Sequence, residues 1–152
     1  MSESSAAMIA RDNAARAEAL DTRRSFIVQA PAGSGKTALL TQRVLALLAE
    51  VEAPEQIVAM TFTRKAAAEM RQRILGELQD PRRPEECTAE HEAHTRRLAQ
   101  AARARDAAMG WQLSHASNRL RITTIDGFCG GLVRRAPWLS GAGGMPSLVD
   151  DA

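Results

Sequence analysis

The sequence has few cysteines, no long apolar run and little excess charge of either sign. Cys87 and Cys129 are the two cysteines among 152 residues, too few for a disulfide framework, and we expect both to be reduced. No apolar stretch approaches the roughly 18 residues that a bilayer span needs, and the N-terminal residues lack the basic-then-apolar order of a secretory signal. These absences predict a cytoplasmic protein with no membrane partner.

Lysine is also scarce. The chain has 20 basic and 18 acidic side chains, a net charge of +2, which by itself says almost nothing about nucleic acid. Lys36 and Lys65 are the only lysines, and every other cation is arginine. Against that arginine background the two lysines stand out, and both lie in motifs that carry the functional prediction.

The spacing of apolar residues predicts an α/β fold in one domain, or in a large piece of one. We expect strands at residues 26–28, 56–62 and 119–125. We expect helices with a buried face at residues 36–51, 63–78 and 128–135, with Thr63 capping the second. A marginal helix is predicted over residues 5–21, and a solvated helical insertion over 81–118. This order is typical of a parallel sheet with helical crossovers, whose functional residues lie at the carboxyl ends of the strands.

The segment between the first strand and its helix has the composition of a phosphate-binding loop. Its residues are Ala30, Pro31, Ala32, Gly33, Ser34, Gly35, Lys36 and Thr37. Two glycines let backbone N–H groups approach phosphate oxygens, and the helix adds its positive dipole end. Lys36 can reach terminal phosphates, and the Thr37 hydroxyl can ligate Mg²⁺. The general pattern has glycine where Ala30 stands, and the alternative is a loop that merely turns the chain.

A second polar segment begins at the carboxyl end of the second predicted strand. Thr61, Phe62, Thr63 and Arg64 place hydroxyls, a ring and a cation at a helix start. Hydroxyls and cations bind nucleic-acid phosphates, and a ring offers a stacking face to an unpaired base. Taken singly, however, Phe62 could be a core residue and Arg64 a solvated charge.

Three segments together resemble a known family. Residues 30–37 (APAGSGKT), 61–70 (TFTRKAAAEM) and 122–129 (ITTIDGFC) resemble the first three conserved blocks of superfamily 1 DNA helicases of the UvrD, Rep and RecB/AddA type, in the same order. The second block is the most specific, and the third is closest to the RecB/AddA branch.

The resemblance implies a RecA-like P-loop NTPase domain that uses ATP and Mg²⁺. It divides the chain into a nucleotide-sensing segment at 1–24, a partial ATP-binding domain at 25–137 and a loop at 138–152. Residues 30–37 would hold ATP, with Lys36 and Thr37 in catalysis and Thr37 on Mg²⁺. The single-stranded DNA channel would be lined by Thr61, Phe62, Thr63, Arg64, Thr124, Asp126 and Phe128. The implied activity is helicase or helicase–nuclease action in DNA repair, and the candidate partner is a second helicase–nuclease subunit.

Two positions depart from the family pattern. Arg16 stands where related helicases place a glutamine that senses adenine, which leaves base selectivity open. Asp126 stands where the third block usually has histidine. Because a carboxylate repels phosphate, a capping or positioning role is favoured for Asp126.

The family's acidic D-E-x-x-D block is absent from the sequence. ATP hydrolysis needs carboxylates for Mg²⁺ and water, and an arginine for the developing charge. We therefore expect the chain to be the first part of a longer protein and to be inactive alone. The alternatives are a non-catalytic single-stranded DNA-binding relic and a small P-loop nucleotide kinase.

Two weaker patterns lie in the predicted insertion. Cys87, His91 and His94 faintly resemble a metal site, but without a fourth ligand nearby a solvated helix face is favoured. The second pattern is a group of arginines interleaved with acidic residues, which favours an exposed helix over a phosphate-binding surface. Its members are Arg96, Arg97, Arg103 and Arg105.

Overall fold

A computed structural model describes residues 3–31 and 33–136. Within them the chain forms five α-helices and a parallel two-stranded sheet. The helices are α1 (Glu3–Glu18), α2 (Lys36–Leu48), α3 (Arg64–Gln79), α4 (Glu90–Met109) and α5 (Ile125–Arg135). The strands are β1 (Val58–Thr61) and β2 (Arg121–Thr124). Ala32 and the predicted loop at 138–152 lie outside the described residues.

The sheet brings together two segments that are distant in sequence. β1 and β2 pair in parallel from Val58 opposite Arg121 to Thr61 opposite Thr124. Because the strands are parallel and in register, their carboxyl ends lie at one edge. The chain passes from β1 to β2 through α3 and α4.

The core lies between α2, α3, α4 and the inner face of β2. Leu45, Leu48 and Ile74 are completely buried, and Leu113 and Ile122 join the same cluster. Apolar residues recur at steps of three and four along α2 and α3, so each helix turns one stripe inward. The two predicted core helices at 36–51 and 63–78 are therefore present, with slightly different ends.

The predicted strand at residues 26–28 is wrong. These residues adopt no strand or helix, and Ile27 is fully exposed. Phe26 instead lies under the guanidinium groups of Arg24 and Arg43, 5.1 and 5.4 Å from its ring centre. A strand needs a hydrogen-bonded neighbour, and within the described residues this segment pairs with neither β1 nor β2. An apolar run indicates a tendency to be buried but does not supply that partner.

The helical insertion is solvated on one side as predicted, but its other face is buried. Helix α4 packs against α2 and α3, and Ala99 and Ala102 are almost completely buried in the shared core. Arg96, predicted to be exposed, has only 5% of its surface exposed. It is accommodated because Glu77 and Asp80 balance its charge. Because alanine is small, it allows neighbouring helices to approach closely. The highly charged composition of α4 does not indicate this packing.

Helix α5 begins three residues before the predicted start and is not a core helix. Among its described residues none is buried. Three of its eleven residues are glycine, at positions 127, 130 and 131. Ile125 and Leu132 are about half exposed, so the apolar residues of α5 are not covered by the rest of the described chain.

Candidate nucleotide site and nucleic-acid interface

The loop before α2 has a backbone that only glycine adopts easily. Gly33 and Gly35 have φ angles of 77° and 82°, both in the left-handed region. Gly35 is the N-cap residue of α2, and no side chain caps that end of the helix. A Cβ added at Gly33 would meet no atom within 4 Å, so backbone angle and not crowding requires glycine there.

The polar groups of this loop converge at the start of α2. The Lys36 ammonium donates to the carbonyl oxygens of Ala30, at 2.6 Å, and Pro31, at 2.5 Å. Thr37 is exposed in the first turn of the helix. The Ser34 hydroxyl is buried and makes no hydrogen bond within the described residues. The uncapped amides and the ammonium are donors that suit phosphate oxygens, and the exposed Thr37 hydroxyl oxygen is a ligand type that suits Mg²⁺.

Arg16 reaches this loop from α1. Its Nε donates to Asp12 at 2.7 Å, and its Nη2 donates to the Ser34 carbonyl at 2.6 Å. A Cβ at Gly35 would lie 3.4 Å from Arg16 Nη1. The family resemblance marks Arg16 as a departure, but nothing in the sequence indicates its contact with the loop. That contact depends on how α1 folds back, which local spacing does not encode.

The carboxyl ends of β1 and β2 place the second and third segments side by side. Thr61 and Thr124 are register partners at the ends of their strands. The Thr63 hydroxyl accepts from the Ala66 amide at 3.1 Å and caps α3, as predicted. The Thr124 hydroxyl accepts from the Gly127 amide at 3.0 Å and caps α5. Two helix N-termini therefore meet one sheet edge, where partial positive charge favours phosphate.

The aromatic and charged residues at this edge differ in exposure. Phe62 is 91% exposed, so its interpretation as a core residue is wrong. Arg64 is exposed as well, and Phe128 is half-buried. Asp126 lies exposed in the first turn of α5. Thr124 is the N-cap residue of this helix, and the Asp126 carboxylate lies in the first turn, where the helix dipole favours a negative charge.

Gly127 has a packing reason to be glycine. A Cβ there would lie 2.6 Å from the Thr123 Oγ1 and 3.1 Å from the Thr124 Oγ1. The 2.6 Å distance is too short for a Cβ atom, so a side chain at position 127 would require the Thr123 hydroxyl to move. The glycine of the third segment thus leaves room for the hydroxyl groups of Thr123 and Thr124.

A cavity of about 330 Å³ opens beside Arg16, between α1, α2 and the first turns of α4. Its lining includes Asn13, Gln42, His91 and His94. Burial lowers the pKa of His94, and nearby Arg97 lowers it further, while Glu90 acts in the opposite direction. The amino-acid pattern contains no signal for this cavity, since it depends on the packing of the helix expected to be solvated.

The described residues contain neither a metal cluster nor a membrane span. Over residues 3–31 and 33–136, no group of three histidine, cysteine, aspartate or glutamate side chains is arranged to hold a metal ion. In the same part of the chain, every helix is too short or too polar to cross a membrane.

Comparison with known proteins gives consistent matches. Residues 11–149 match the model of the UvrD/REP helicase N-terminal domain. The chain is 36% identical to an ATP-dependent helicase/nuclease subunit of Alkaliphilus metalliredigens over 119 residues, 77% of the chain and 8% of that protein. It is equally identical to the protein of the same name from Desulforamulus reducens over 114 residues, 73% of the chain and 8% of that protein.

A shorter match extends the comparison to a second type of helicase. The chain is 54% identical to the ATP-dependent DNA helicase UvrD1 of Mycobacterium tuberculosis over 52 residues, 34% of the chain and 7% of that protein. The chain thus spans less than a tenth of the length of these relatives. No solved structure gives a significant match.

Proposed function

The chain belongs to the UvrD/REP helicase N-terminal domain family, and on this premise we propose that it is the ATP-binding part of an AddA-type DNA helicase or helicase–nuclease. Its two strands would then belong to a larger RecA-like P-loop sheet. The whole protein would couple ATP hydrolysis to movement along one DNA strand during repair. Its candidate partner is a second helicase–nuclease subunit.

The loop geometry is the observation that carries this proposal. The left-handed Gly33 and Gly35 and the uncapped start of α2 leave backbone N–H donors free of side-chain competitors. Thr37 would hold Mg²⁺ through its hydroxyl, and the ion would neutralise charge on the phosphates. Lys36 would exchange its two carbonyl partners for phosphate oxygens, which are stronger acceptors because they are charged.

The edge formed by β1 and β2 supports the second half of the proposal. Thr63 and Thr124 cap two helices whose N-termini would attract a phosphate backbone, and Thr61 lies beside Thr124 at the same edge. The exposed ring of Phe62 offers a stacking face to a base, and Arg64 supplies a cation beside it. Asp126 and Phe128 flank this surface on α5.

We propose that the chain binds nucleotide and DNA but does not sustain hydrolysis. No acidic D-E-x-x-D block occurs in the sequence to hold Mg²⁺ and orient water. Steady ATP hydrolysis by the purified chain, stimulated by single-stranded DNA and lost in Lys36→Ala, would contradict this.

Nucleotide binding is tested by titrating the chain with a fluorescent ATP analogue and Mg²⁺. Lys36→Ala removes a charged hydrogen-bond donor, and we expect at least about tenfold weaker binding. Lys65→Ala is the matched control, because Lys65 is the other lysine and lies exposed on α3. Equal affinity of Lys36→Ala and the wild-type chain would refute the proposed role of the loop.

DNA binding is tested by anisotropy with a labelled single-stranded oligonucleotide. Phe62→Ala should weaken binding about five- to a hundredfold if the ring stacks on a base. Met60→Ala is the control, since Met60 is a neighbouring apolar residue that is 54% exposed. If the chain binds DNA tightly and equally well with and without ATP, the non-catalytic single-stranded DNA-binding relic would be favoured. Phosphorylation of a small nucleotide by the chain would favour the kinase, an interpretation that gains no support from the matched family.

A further inference from the structure

The phosphate-binding loop has little backbone support of its own. The segment before it pairs with neither strand of the described sheet. Within the described part of the loop, the backbone hydrogen bond is a long one, from the Ser34 amide to the Pro31 carbonyl at 3.4 Å. With two glycines in the left-handed region as well, the loop has many accessible conformations unless side chains restrict it.

Two side chains restrict the loop, and they do so differently. Lys36 holds the carbonyls of Ala30 and Pro31, but it must release them to reach a phosphate. Arg16 holds the Ser34 carbonyl from outside the loop, so this bond need not break when nucleotide binds. Asp12 fixes the guanidinium through Nε at 2.7 Å, in an i,i+4 ion pair on α1.

We propose that Arg16 is a positioning residue that holds the loop in the conformation that accepts a triphosphate, whatever base the nucleotide carries. This inference rests on the proposed function and deepens it. Arg16 stands where the family places a base-sensing glutamine, so the two roles predict different specificities. If a residue senses the base, replacing it changes the affinity for a nucleotide to an extent that depends on the base. If a residue positions the loop, replacing it weakens the binding of every ligand that carries the same phosphates.

The test compares three ligands by calorimetric titration of the whole 152-residue chain with Mg²⁺ present: ATP, GTP and inorganic tripolyphosphate. Arg16→Met keeps most of the length of the side chain but removes the donors, and it should weaken all three by a similar factor of about ten. Arg16→Lys should recover only part of the loss, because an ammonium keeps the charge without the planar fork. Asp12→Asn should give a smaller loss, since it only loosens the guanidinium.

Arg11→Met is the matched control. Arg11 is an exposed arginine on the same helix, so its removal changes the net charge equally and should leave the three affinities within about twofold. Thermal unfolding of each variant separates positioning from stability. We expect the Arg16→Met chain to unfold within a few degrees of the wild type, because the residue is partly exposed.

Several outcomes would overturn the inference. A loss with ATP that is absent with tripolyphosphate would assign Arg16 to the base. If Arg16→Lys bound all three ligands as tightly as the wild-type chain, positive charge alone would explain the effect, without positioning by the planar guanidinium. If the folded Arg16→Met chain bound the ligands as tightly as the wild type, Arg16 would not position the loop. A lower unfolding temperature would then show only a structural role. If the wild-type chain binds none of the three ligands, the proposed function itself fails; if it binds them and Arg16→Met binds them equally well, only this inference fails.

Discussion

Replacing Arg96 with methionine should test whether α4 is an integral part of the core. The Arg96 side chain is 6% exposed and contacts the Glu77 carboxylate. Its Nη1 also lies 3.2 Å from an Asp80 carboxylate oxygen and donates to the Glu77 carbonyl at 3.2 Å. Burial lowers the pKa of Arg96, and neighbouring Arg103 adds to that effect. Arg96→Met keeps most of the apolar stem but leaves these acceptors without their donor.

The expected cost follows from what remains behind. Removing one partner of a fully buried ion pair costs about 3–5 kcal/mol. The cost here should be smaller, because Glu77 and Asp80 keep 24% and 19% exposure and can regain some water. Asp80 also keeps its bond to Arg82, at 2.7 Å. We therefore expect a loss of about 2 kcal/mol, a large part of the roughly 5–15 kcal/mol typical of a domain.

Urea unfolding followed by circular dichroism measures this loss. With a slope of about 2 kcal/mol per molar, the midpoint should fall by about 1 M. Arg97→Met is the matched control, because Arg97 is exposed on the same helix and should change stability by less than about 0.5 kcal/mol. Adding Glu77→Leu to Arg96→Met should recover part of the loss, since the Glu77 carboxylate is then gone as well and Asp80 keeps its bond to Arg82. Equal midpoints for Arg96→Met and Arg97→Met would refute the reasoning.

Two further predictions concern the ends of the strands. Thr63→Ala should lower the free energy of unfolding by about 1 kcal/mol, because the Ala66 amide loses its hydrogen-bond acceptor. Thr63→Ser should retain this cap. Equal urea midpoints for the two variants would count against the cap. The second concerns the Arg119–Glu55 ion pair, which joins the segments that precede β1 and β2. Its hydrogen bond lowers the pKa of Glu55 below 4.5, so the stability difference between wild type and Glu55→Gln should be present above pH 4.5 and disappear as the pH falls below it. A difference that persists at about pH 2 in unfolding experiments would exclude this linkage.

The segments singled out in the sequence include those that the fold brings to one edge. Thr61 and Thr124 are far apart along the chain, yet they are register partners in the sheet. This can be anticipated because parallel strands align their carboxyl ends, and polar residues lie at that end of both predicted strands. The cap at Thr63 is equally predictable, since a hydroxyl before an amphipathic helix has one common use.

Other expectations fail where the answer depends on distant partners. The residues at 26–28 have the apolar character of a strand but no ladder within the described residues. A cation such as Arg96 rarely lies in a core, and the two acids that permit its burial come from α3 and the turn after it. Arg16 is recognisable from the sequence only as a substitution, and its bond to Ser34 follows from the position of α1.

Local chemistry in the amino-acid order determined the loop glycines, the helix cap, the polar segments after each strand and the family to which the chain belongs. These features depend on neighbours a few positions away, so spacing encodes them. Tertiary packing decided which predicted elements find partners, which charges are buried, and that Arg16 contacts the loop. Such contacts join residues far apart in sequence, and their free energy depends on burial and geometry that exist only once the helices have packed.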